Sequence, residues 1–519
     1  MTDVLIVGAG PTGLILACDL ARRSVGVRIV EKSPGFPRSS RAKGPNPRSL
    51  EVLEDLGVLG EVLAASSAPL PMRKYRNGLP IADTDPYEGS APTPDAPYDR
   101  GRLIAQWRLE EILRARLAEY GVHVELGAEV TGLTQTDTSV TAVLAGGEEI
   151  GARYMVGCDG GHSTVRKLLG VPFEGRTYEG RTMVCGDVEV TELDRGHWHQ
   201  WFDEDGAVML CPIPGTASGW WFQAGQEADA AGAPVPPSQE SFRRLFAKHT
   251  GLPGGSLSNA ALLSAYRVNE RMADRFRVGR VFLAGDAAHV HSIAGGLGMN
   301  TGIQDAFNLG WKLALTASGQ AGAGLLDTYE EERLPVAART LDITSDRLRA
   351  TLEAIRKPGG GLETAVTAET SGLGGGYRWS SLAQDGAAGG PAARLRAGDR
   401  APDAPCRDAG TGDRVRLFET FAGPHFTLLG FGAGTERELR ETAARYGDAV
   451  RAHAVDGGGR DGLTDDEGHA RSAYGIGEDT LVLVRPDNHV ALIAPAADHG
   501  TVAEHLDRTA LGRSQRVSR

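Results

Sequence analysis

Apolar residues along this chain cluster with two periods. Short apolar runs over residues 4–7, 27–30, 154–157 and 281–284 carry the pattern of buried strands. Further strands are predicted over 122–126, 130–133 and 140–144. Between these runs the apolar positions recur every three or four residues. Leu50, Val52, Leu53, Leu56, Val58 and Leu59 predict a helix over 49–63, and Leu109, Ile112, Leu113 and Leu117 predict one over 106–120. A helix is also expected over 14–22 and a long one from about 298 to 315. Two more are expected over 325–334 and 337–355, parted at Pro335 because proline lacks the amide a helix interior needs. Strands alternating with helices predict an α/β unit with a parallel sheet.

The pattern changes twice. Residues 66–100 are rich in Pro, Asp and Tyr with weak periodicity, and read as an excursion. From 175 to 275, strand-like alternation with aromatic residues predicts a second, mainly antiparallel α+β unit. Residues 357–376 are glycine-rich and read as linker. From Gly398 a third α/β unit follows, with strands at 426–431, 480–484 and 490–493 and a helix at 436–446. The expected division is 1–70, 101–174 and 276–356 for a discontinuous first domain, and 71–100 and 175–275 for the second. Residues 357–397 are then linker, 398–512 a third domain, and 513–519 a frayed tail.

Composition narrows the function classes. The 519 residues carry a net charge of −12, which argues against a nucleic-acid partner. Hydrophobic residues make up 41%, enough for several cores. At about 150 residues per domain the length suggests about three. Five scattered cysteines without a Cys-x-x-Cys pair fit a reduced chain without a disulfide framework or zinc site. No apolar run reaches the roughly 20 residues that cross a bilayer, and no leader-like pattern precedes the first strand. The expectation is a cytoplasmic protein.

The first strand runs into Gly8-Ala9-Gly10-Pro11-Thr12-Gly13, and the second ends at Glu31. Glycine permits the tight turn, lets backbone N–H groups approach a pyrophosphate, and lets the helix pack close to the strand. The helix N-terminus turns its positive end to the phosphates, and a carboxylate after the second strand can hold a ribose. This order points to a dinucleotide. Arg38, Arg41, Lys43 and Arg48 follow on a loop that is either a solvated basic stretch or a phosphate and flavin contact. Val281–Ala284 leads through Gly285-Asp286 to a glycine-rich turn, Ala294-Gly295-Gly296-Leu297-Gly298-Met299-Asn300, which opens a helix suited to an electron-rich ring edge. His289 and His291 lack a third ligand nearby, so no metal is expected. Trp198, Trp201, Trp220 and Trp221 read singly as sheet packing, and together as the floor of a pocket for a flat substrate. His197 and His199 read as satisfied side chains before catalytic ones.

Three blocks in this order resemble the class A flavoprotein aromatic hydroxylases, closest to those of aromatic polyketide and antibiotic pathways. They are Gly8-x-Gly10-x-x-Gly13 with Glu31, Asp159-Gly160, and Gly285-Asp286 leading to Gly-Met-Asn-Thr-Gly-Ile-Gln-Asp-Ala at 298–306. Gly398-Asp399-Arg400-Ala401-Pro402 and Tyr474-Gly475 look like the thioredoxin-like C-terminal domain of the larger members, here without a redox cysteine pair. The resemblance implies a Rossmann-like FAD-binding domain with an interleaved substrate domain. It implies FAD, a transient NADPH or NADH, molecular oxygen, and a small polycyclic phenolic substrate hydroxylated through a flavin C4a-hydroperoxide. It leaves a homodimer open.

By the same resemblance Gly8, Gly10, Pro11, Thr12 and Gly13 line the FAD phosphates, with Glu31 and Lys32 at the adenosine ribose. Arg41 reaches the phosphates or ring, and Gln106 touches the flavin. Asp159 and Gly160 lie by the pyrophosphate, and Asp286 binds the ribityl chain. Gly296, Gly298, Met299 and Asn300 bring backbone N–H groups to the flavin pyrimidine edge. Trp201, Trp221, Ile293, Ala294 and Gly295 are the expected substrate-pocket residues. The family has proline between the histidine and the Gly-Gly pair and glutamine after it; this chain reads His291-Ser292-Ile293-Ala294-Gly295-Gly296-Leu297, which bears on the pocket's shape. No substrate-deprotonating base is assigned. Baeyer–Villiger oxygenation on the same scaffold, and a flavoprotein that sequesters an aromatic drug, stay open. A Trp-x-Trp-x-Ile halogenase element is absent from the sequence.

Overall fold

Thr2–Val7 lies inside the first sheet, between Val27–Glu31 and Glu149–Gly157, and all three run parallel. Val281–Leu283 and Val124–Leu126 extend the parallel set on either side. Val4, Leu5 and Ile6 are fully enclosed, which is why the run is apolar without alternation. The computed structural model describes residues 1–36, 38, 42–203, 206–292, 295–322, 324–355, 367–385, 395–457, 462–477 and 479–511. Helices Pro11–Arg22 and Gly298–Ala317 pack against each other beside this sheet. They approach so closely that a Cβ on Gly302 would sit 2.4 Å from Thr12 Oγ1.

A second sheet of eight strands is antiparallel except where Trp198–Asp203 runs parallel to Met72–Arg76. The weakly patterned stretch 66–100 thus contributes two strands, Met72–Arg76 and, at the sheet edge, Leu79–Thr84. Helix Gln239–Thr250 covers one face, with Phe242, Leu245 and Phe246 against Val208, Leu210, Trp220 and Phe222. A third, mixed sheet holds Phe426–Phe431 parallel to Val450–Val455 and antiparallel to Thr480–Val484, with Val490–Pro495 beyond.

Two expectations need correction. The linker 357–397 is not all linker: Gln384–Asp385 pairs parallel with Leu492–Ile493 and so edges the third sheet. Pro335 does not divide the helices, since Asp327–Ile355 is continuous across it. The proline leaves the Glu331 carbonyl without its helical donor, and the Trp379 indole N–H fills the place at 2.9 Å. The expected frayed tail, 513–519, lies outside the described residues.

The third unit is tied to the first by buried charges. Glu332 accepts from Arg485 (2.5 and 3.0 Å), Lys312 (2.7 Å), Asn308 (2.6 Å) and Ser380 (2.6 Å). Arg485 also binds Asp487 at 2.9 Å, and Arg48 reaches the Asp487 carbonyl at 2.9 Å. Arg400 and Arg48 share Glu51. Burial by itself would raise the Glu332 carboxyl, but Arg485 and Lys312 outweigh it and hold it down at about 2.

Removing one partner from such a pair strands a charge and costs about 3–5 kcal/mol. Glu332→Gln and Arg485→Met are therefore each expected to lower unfolding free energy by about that much in urea titration; a loss within about 0.5 kcal/mol, typical of surface changes, would show the network to be dispensable. The folded value of Glu332 lies below its ordinary one. Its contribution is thus present above about pH 4.5 and drains away as pH falls toward about 2, so the wild type should lose stability across that window more steeply than Glu332→Gln.

Candidate functional site

The parallel register sets Val7 beside Val30 and Gly157, and Gly157 beside Leu283. The turns after these strands therefore open on one edge of the sheet, the usual place for a nucleotide. That edge gathers Gly8–Gly13, Glu31, Asp159 and Gly285–Asp286 from distant parts of the chain.

Gly13 is required by close approach, since a Cβ there would lie 2.1 Å from the Gly8 carbonyl oxygen. Gly10 differs: nothing lies within 4 Å of the place its Cβ would take. Gly10 is also the N-cap of Pro11–Arg22 and no side chain caps that helix. Gly160, Gly296 and Gly298 are open in the same way, and the N-terminus of Gly298–Ala317 also lacks a side-chain cap. The Glu31 carboxylate, part-buried at the end of the neighbouring strand, accepts from the Ala9 N–H (3.1 Å) and the Ser33 N–H (2.9 Å). Asp286 is exposed on its 3-10 turn. Two uncapped helix starts, an open glycine backbone and an anchored carboxylate fit the phosphates and ribose of FAD.

Other expected residues support the site indirectly. Thr12 turns its side chain toward Gly285 and Gly302, at the helix contact. Lys32 is exposed. Asp159 accepts from Ser163 Oγ (2.5 Å) and the Thr164 N–H (2.7 Å), so its carboxylate caps the helix Thr164–Leu168. Met299 is part-buried in the first turn of its helix. Asn300 accepts from the Asn46 N–H (2.8 Å) and Ser49 Oγ (2.7 Å) and donates to the Gly296 carbonyl (2.9 Å). It ties the glycine turn to the loop at 42–46. Gln106 accepts from the Ala42 N–H (3.2 Å) and donates to Glu110 (2.9 Å). Glu110, which sequence reasoning missed, is pushed up to about 7 by burial. Its only sequence signal is its place one helical turn after Gln106.

The basic loop serves several ends. Arg48 is buried at the junction with the third unit, and Arg38 lies over the Trp107 ring, 5.3 Å from its centroid. Arg41, Ile293 and Ala294 lie outside the described residues. Gly295 adopts φ 103° beside the Arg347 side chain. His289 and His291 share a hydrogen bond (2.9 Å), and His289 bonds Asp305 (2.7 Å), which Arg333 also holds (2.7 Å). Among the described residues no three His, Cys, Asp or Glu side chains are placed to hold a metal. His197 and His199 are both satisfied, by Asp194 and by Tyr75 with the Asp194 carbonyl.

Strand alternation splits the tryptophans. Trp201 was expected in the substrate pocket, but it packs on the helix-covered face with Trp220 and Tyr75, because its strand position points it there. Trp221 lies on the opposite face with Cys211, Ile213, Leu103 and Ala105, and Trp198 and Trp107 pack against them. That face meets the loop at 42–46. Lys43 reaches across to it, donating to Gln223 at 2.8 Å with its ammonium 5.1 Å from the centre of the Trp198 ring. Asp187 is the register partner of Trp221, and its carboxyl is pushed up to about 6 by burial, with Lys43 drawing it back. Asp187 and Gln223 carry no motif; only the pairing of distant strands assembles them.

Residues 1–344 match the family described as FAD binding domain, and residues 395–513 match that described as aromatic-ring hydroxylase, C-terminal. A flavin-dependent monooxygenase of Mycobacteroides abscessus is 39% identical over 97% of this chain and 99% of its own. The 6-methylpretetramide 4-monooxygenase of Streptomyces rimosus is 34% identical over 94% of this chain and 90% of its own. Aklavinone-11 hydroxylase, solved in ternary complex with FAD and aklavinone, superposes with a TM-score of 0.82 at 30% identity, covering 98% of each chain.

Glu31→Ala removes a charged acceptor, a loss of about ten- to hundredfold in affinity. Its FAD dissociation constant should rise by that factor, measured by flavin fluorescence on the deflavinated protein. An unchanged constant would remove the ribose role. Asp286→Ala should likewise lower the flavin content of the purified protein, and full occupancy would refute its assignment.

Proposed function

The chain belongs to the FAD-dependent aromatic-ring hydroxylases, and from that premise we propose that it inserts one oxygen atom into the ring of a polycyclic phenol, with NADPH or NADH as transient reductant. The observation that carries this reading is the junction itself. The loop at 42–46 is held by Asn300 and Gln106 on the cofactor side and lays Lys43 on the aromatic face of the second sheet. Relatives whose names specify 6-methylpretetramide and aklavinone as substrates support the same reading.

When bound, FAD supplies the reduction by the nicotinamide and the activation of oxygen. This chain's residues do the rest. The uncapped start of Pro11–Arg22 and the open backbone at Gly10 receive the phosphates. Glu31 would accept from the ribose and Asp286 from the ribityl hydroxyls. Backbone N–H groups at Gly296–Asn300 would meet the electron-rich edge of the flavin ring, a preorganised stabilisation. Asn300 keeps that turn in place through Asn46 and Ser49. The apolar cluster around Trp221, Cys211, Ile213 and Leu103 keeps water from the reacting face, which suppresses loss of oxidant as peroxide.

The C-terminal unit is read as thioredoxin-like. Its support is the strand–helix–strand Phe426–Phe431, Glu436–Tyr446, Val450–Val455, followed by the antiparallel pair Thr480–Val484 and Val490–Pro495. Its single cysteine, Cys406, is buried and its thiol pushed up to about 12 by that burial, so the unit serves as a strut rather than a redox module. Among the described residues no helix is long and apolar enough to cross a membrane.

The test uses FAD-loaded protein, NADPH and a panel of polycyclic phenols and quinones, following nicotinamide loss, peroxide and product mass together. Substrate-stimulated oxidation with a product one oxygen heavier, bearing a new ring hydroxyl by NMR, is expected. A lactone product would assign Baeyer–Villiger chemistry instead. Binding without stimulated oxidation would assign a sequestering flavoprotein.

A further inference from the structure

The face of the second sheet that meets the 42–46 loop carries an unusual set of polar groups for an aromatic surface. Trp221, Cys211 and Gln223 point the same way as Asp187 and Cys185, because register partners share a face: Trp221 opposes Asp187 and Cys211, and Gln223 opposes Cys185. Lys43 comes to this face from the other domain. Among the described residues its ammonium makes one hydrogen bond, to Gln223 Oε1 at 2.8 Å. An ammonium has three N–H donors, so two stay available. Among the described residues the buried indole N–H groups of Trp198 and Trp221 have no partner. Asp187, Cys185 and Cys211 are the titratable groups within electrostatic reach of Lys43. Neither thiol is a strong acceptor, and Cys211 is pushed up to about 12 by burial. Unsatisfied donors in an enclosed aromatic setting are costly unless a ligand oxygen completes them.

We propose that Lys43 is the substrate-positioning group of this enzyme: it holds an acidic ring hydroxyl of a polycyclic phenol as its oxyanion, against the Trp198 and Trp221 face. This rests on the phenol hydroxylase reading above. The hydroxyl's O–H bond breaks heterolytically on binding, the electron pair stays on oxygen, and the proton passes to bulk water. The Lys43 ammonium then donates to the oxyanion in a charge-assisted hydrogen bond. Charge on that oxygen raises electron density at the ortho and para ring carbons, the positions a hydroxylase attacks. Burial pulls the lysine below its ordinary value, with Cys211, Cys185 and Asp187 countering, so an anionic ligand is the partner that keeps it charged. Position also suits the role: Lys43 is flanked by Gly44, whose carbonyl lies 3.5 Å from Asn300 Nδ2, and its own carbonyl accepts from the Ile104 N–H. The same loop thus contacts the cofactor turn and the substrate face.

The test titrates the FAD-loaded protein with alizarin, whose colour reports ionisation, and with its 2-methyl ether, below the dye's first ionisation and without nicotinamide. Wild type should bind alizarin as the coloured anion, and at least about tenfold more tightly than the ether. Lys43→Met should return bound alizarin to its neutral spectrum and erase that preference, with flavin content unchanged. Lys43→Arg should restore the anion spectrum. Bound alizarin with a neutral spectrum in wild type, or an anion spectrum retained by Lys43→Met, overturns the proposal while leaving the hydroxylase reading intact. Failure of wild type to bind any of several hydroxyanthraquinones overturns the phenol reading and this proposal together. Should Lys43→Met not fold, the wild-type preference for phenol over ether decides alone, and equal affinities refute it.

Discussion

A buried charge must be paired, and this chain's architecture follows from that constraint more than from any single apolar core. Glu332, on the long helix Asp327–Ile355, is enclosed and ionised because Arg485 arrives from the third unit and Lys312 from the helix Gly298–Ala317. Separating the third unit would take Arg485 from Glu332 and Arg400 from Glu51, leaving buried charges short of a partner. The C-terminal unit is therefore part of the frame that fixes Gly298–Ala317, the helix that the glycine-rich turn opens.

That helix and Pro11–Arg22 form the second level of the design. Both begin without side-chain caps, and both leave a backbone N–H surface open where a glycine Cβ would have stood. In most helices such ends are satisfied internally. Here no side chain caps them, and the neighbouring side chains work on one another: Asp159 caps a short helix, Asn300 braces the glycine turn, and Gln106 links the 42–46 loop to Glu110. Several residues expected to touch the cofactor thus hold neighbouring backbone in place.

The substrate side obeys a different rule, the two-residue period of a strand. Trp220 and Phe222 serve the helix-covered core, while Trp221 and Gln223 serve the face that meets the nucleotide domain. Trp201 fell on the wrong side of the expectation because an aromatic-rich strand in sequence does not say which parity faces the core. The placement of Lys43 required even more: a loop of one domain and a strand of another, whose spacing in the chain carries no trace of their contact.

The nucleotide fold was legible from residues 4–31 and 281–300 because its constraints are local. A strand, a turn too tight for a side chain and an uncapped helix are dictated by neighbours in sequence, and the acid ends the next strand in the chain. The strand limits of the third unit were equally plain, since 426–431 and 480–484 are buried apolar runs. By contrast, the continuity of the helix through Pro335 depends on Trp379 supplying a donor from another segment, and the pairing of Gln384–Asp385 depends on a sheet edge formed by residues over a hundred positions away. The same holds for Lys43, Asp187 and Gln223. Local sequence determined where backbone must bend, bury and bind phosphate, because those demands are met within a few residues. The partners of isolated polar side chains were decided by tertiary structure, because a charge or an amide is satisfied by whatever the fold brings beside it.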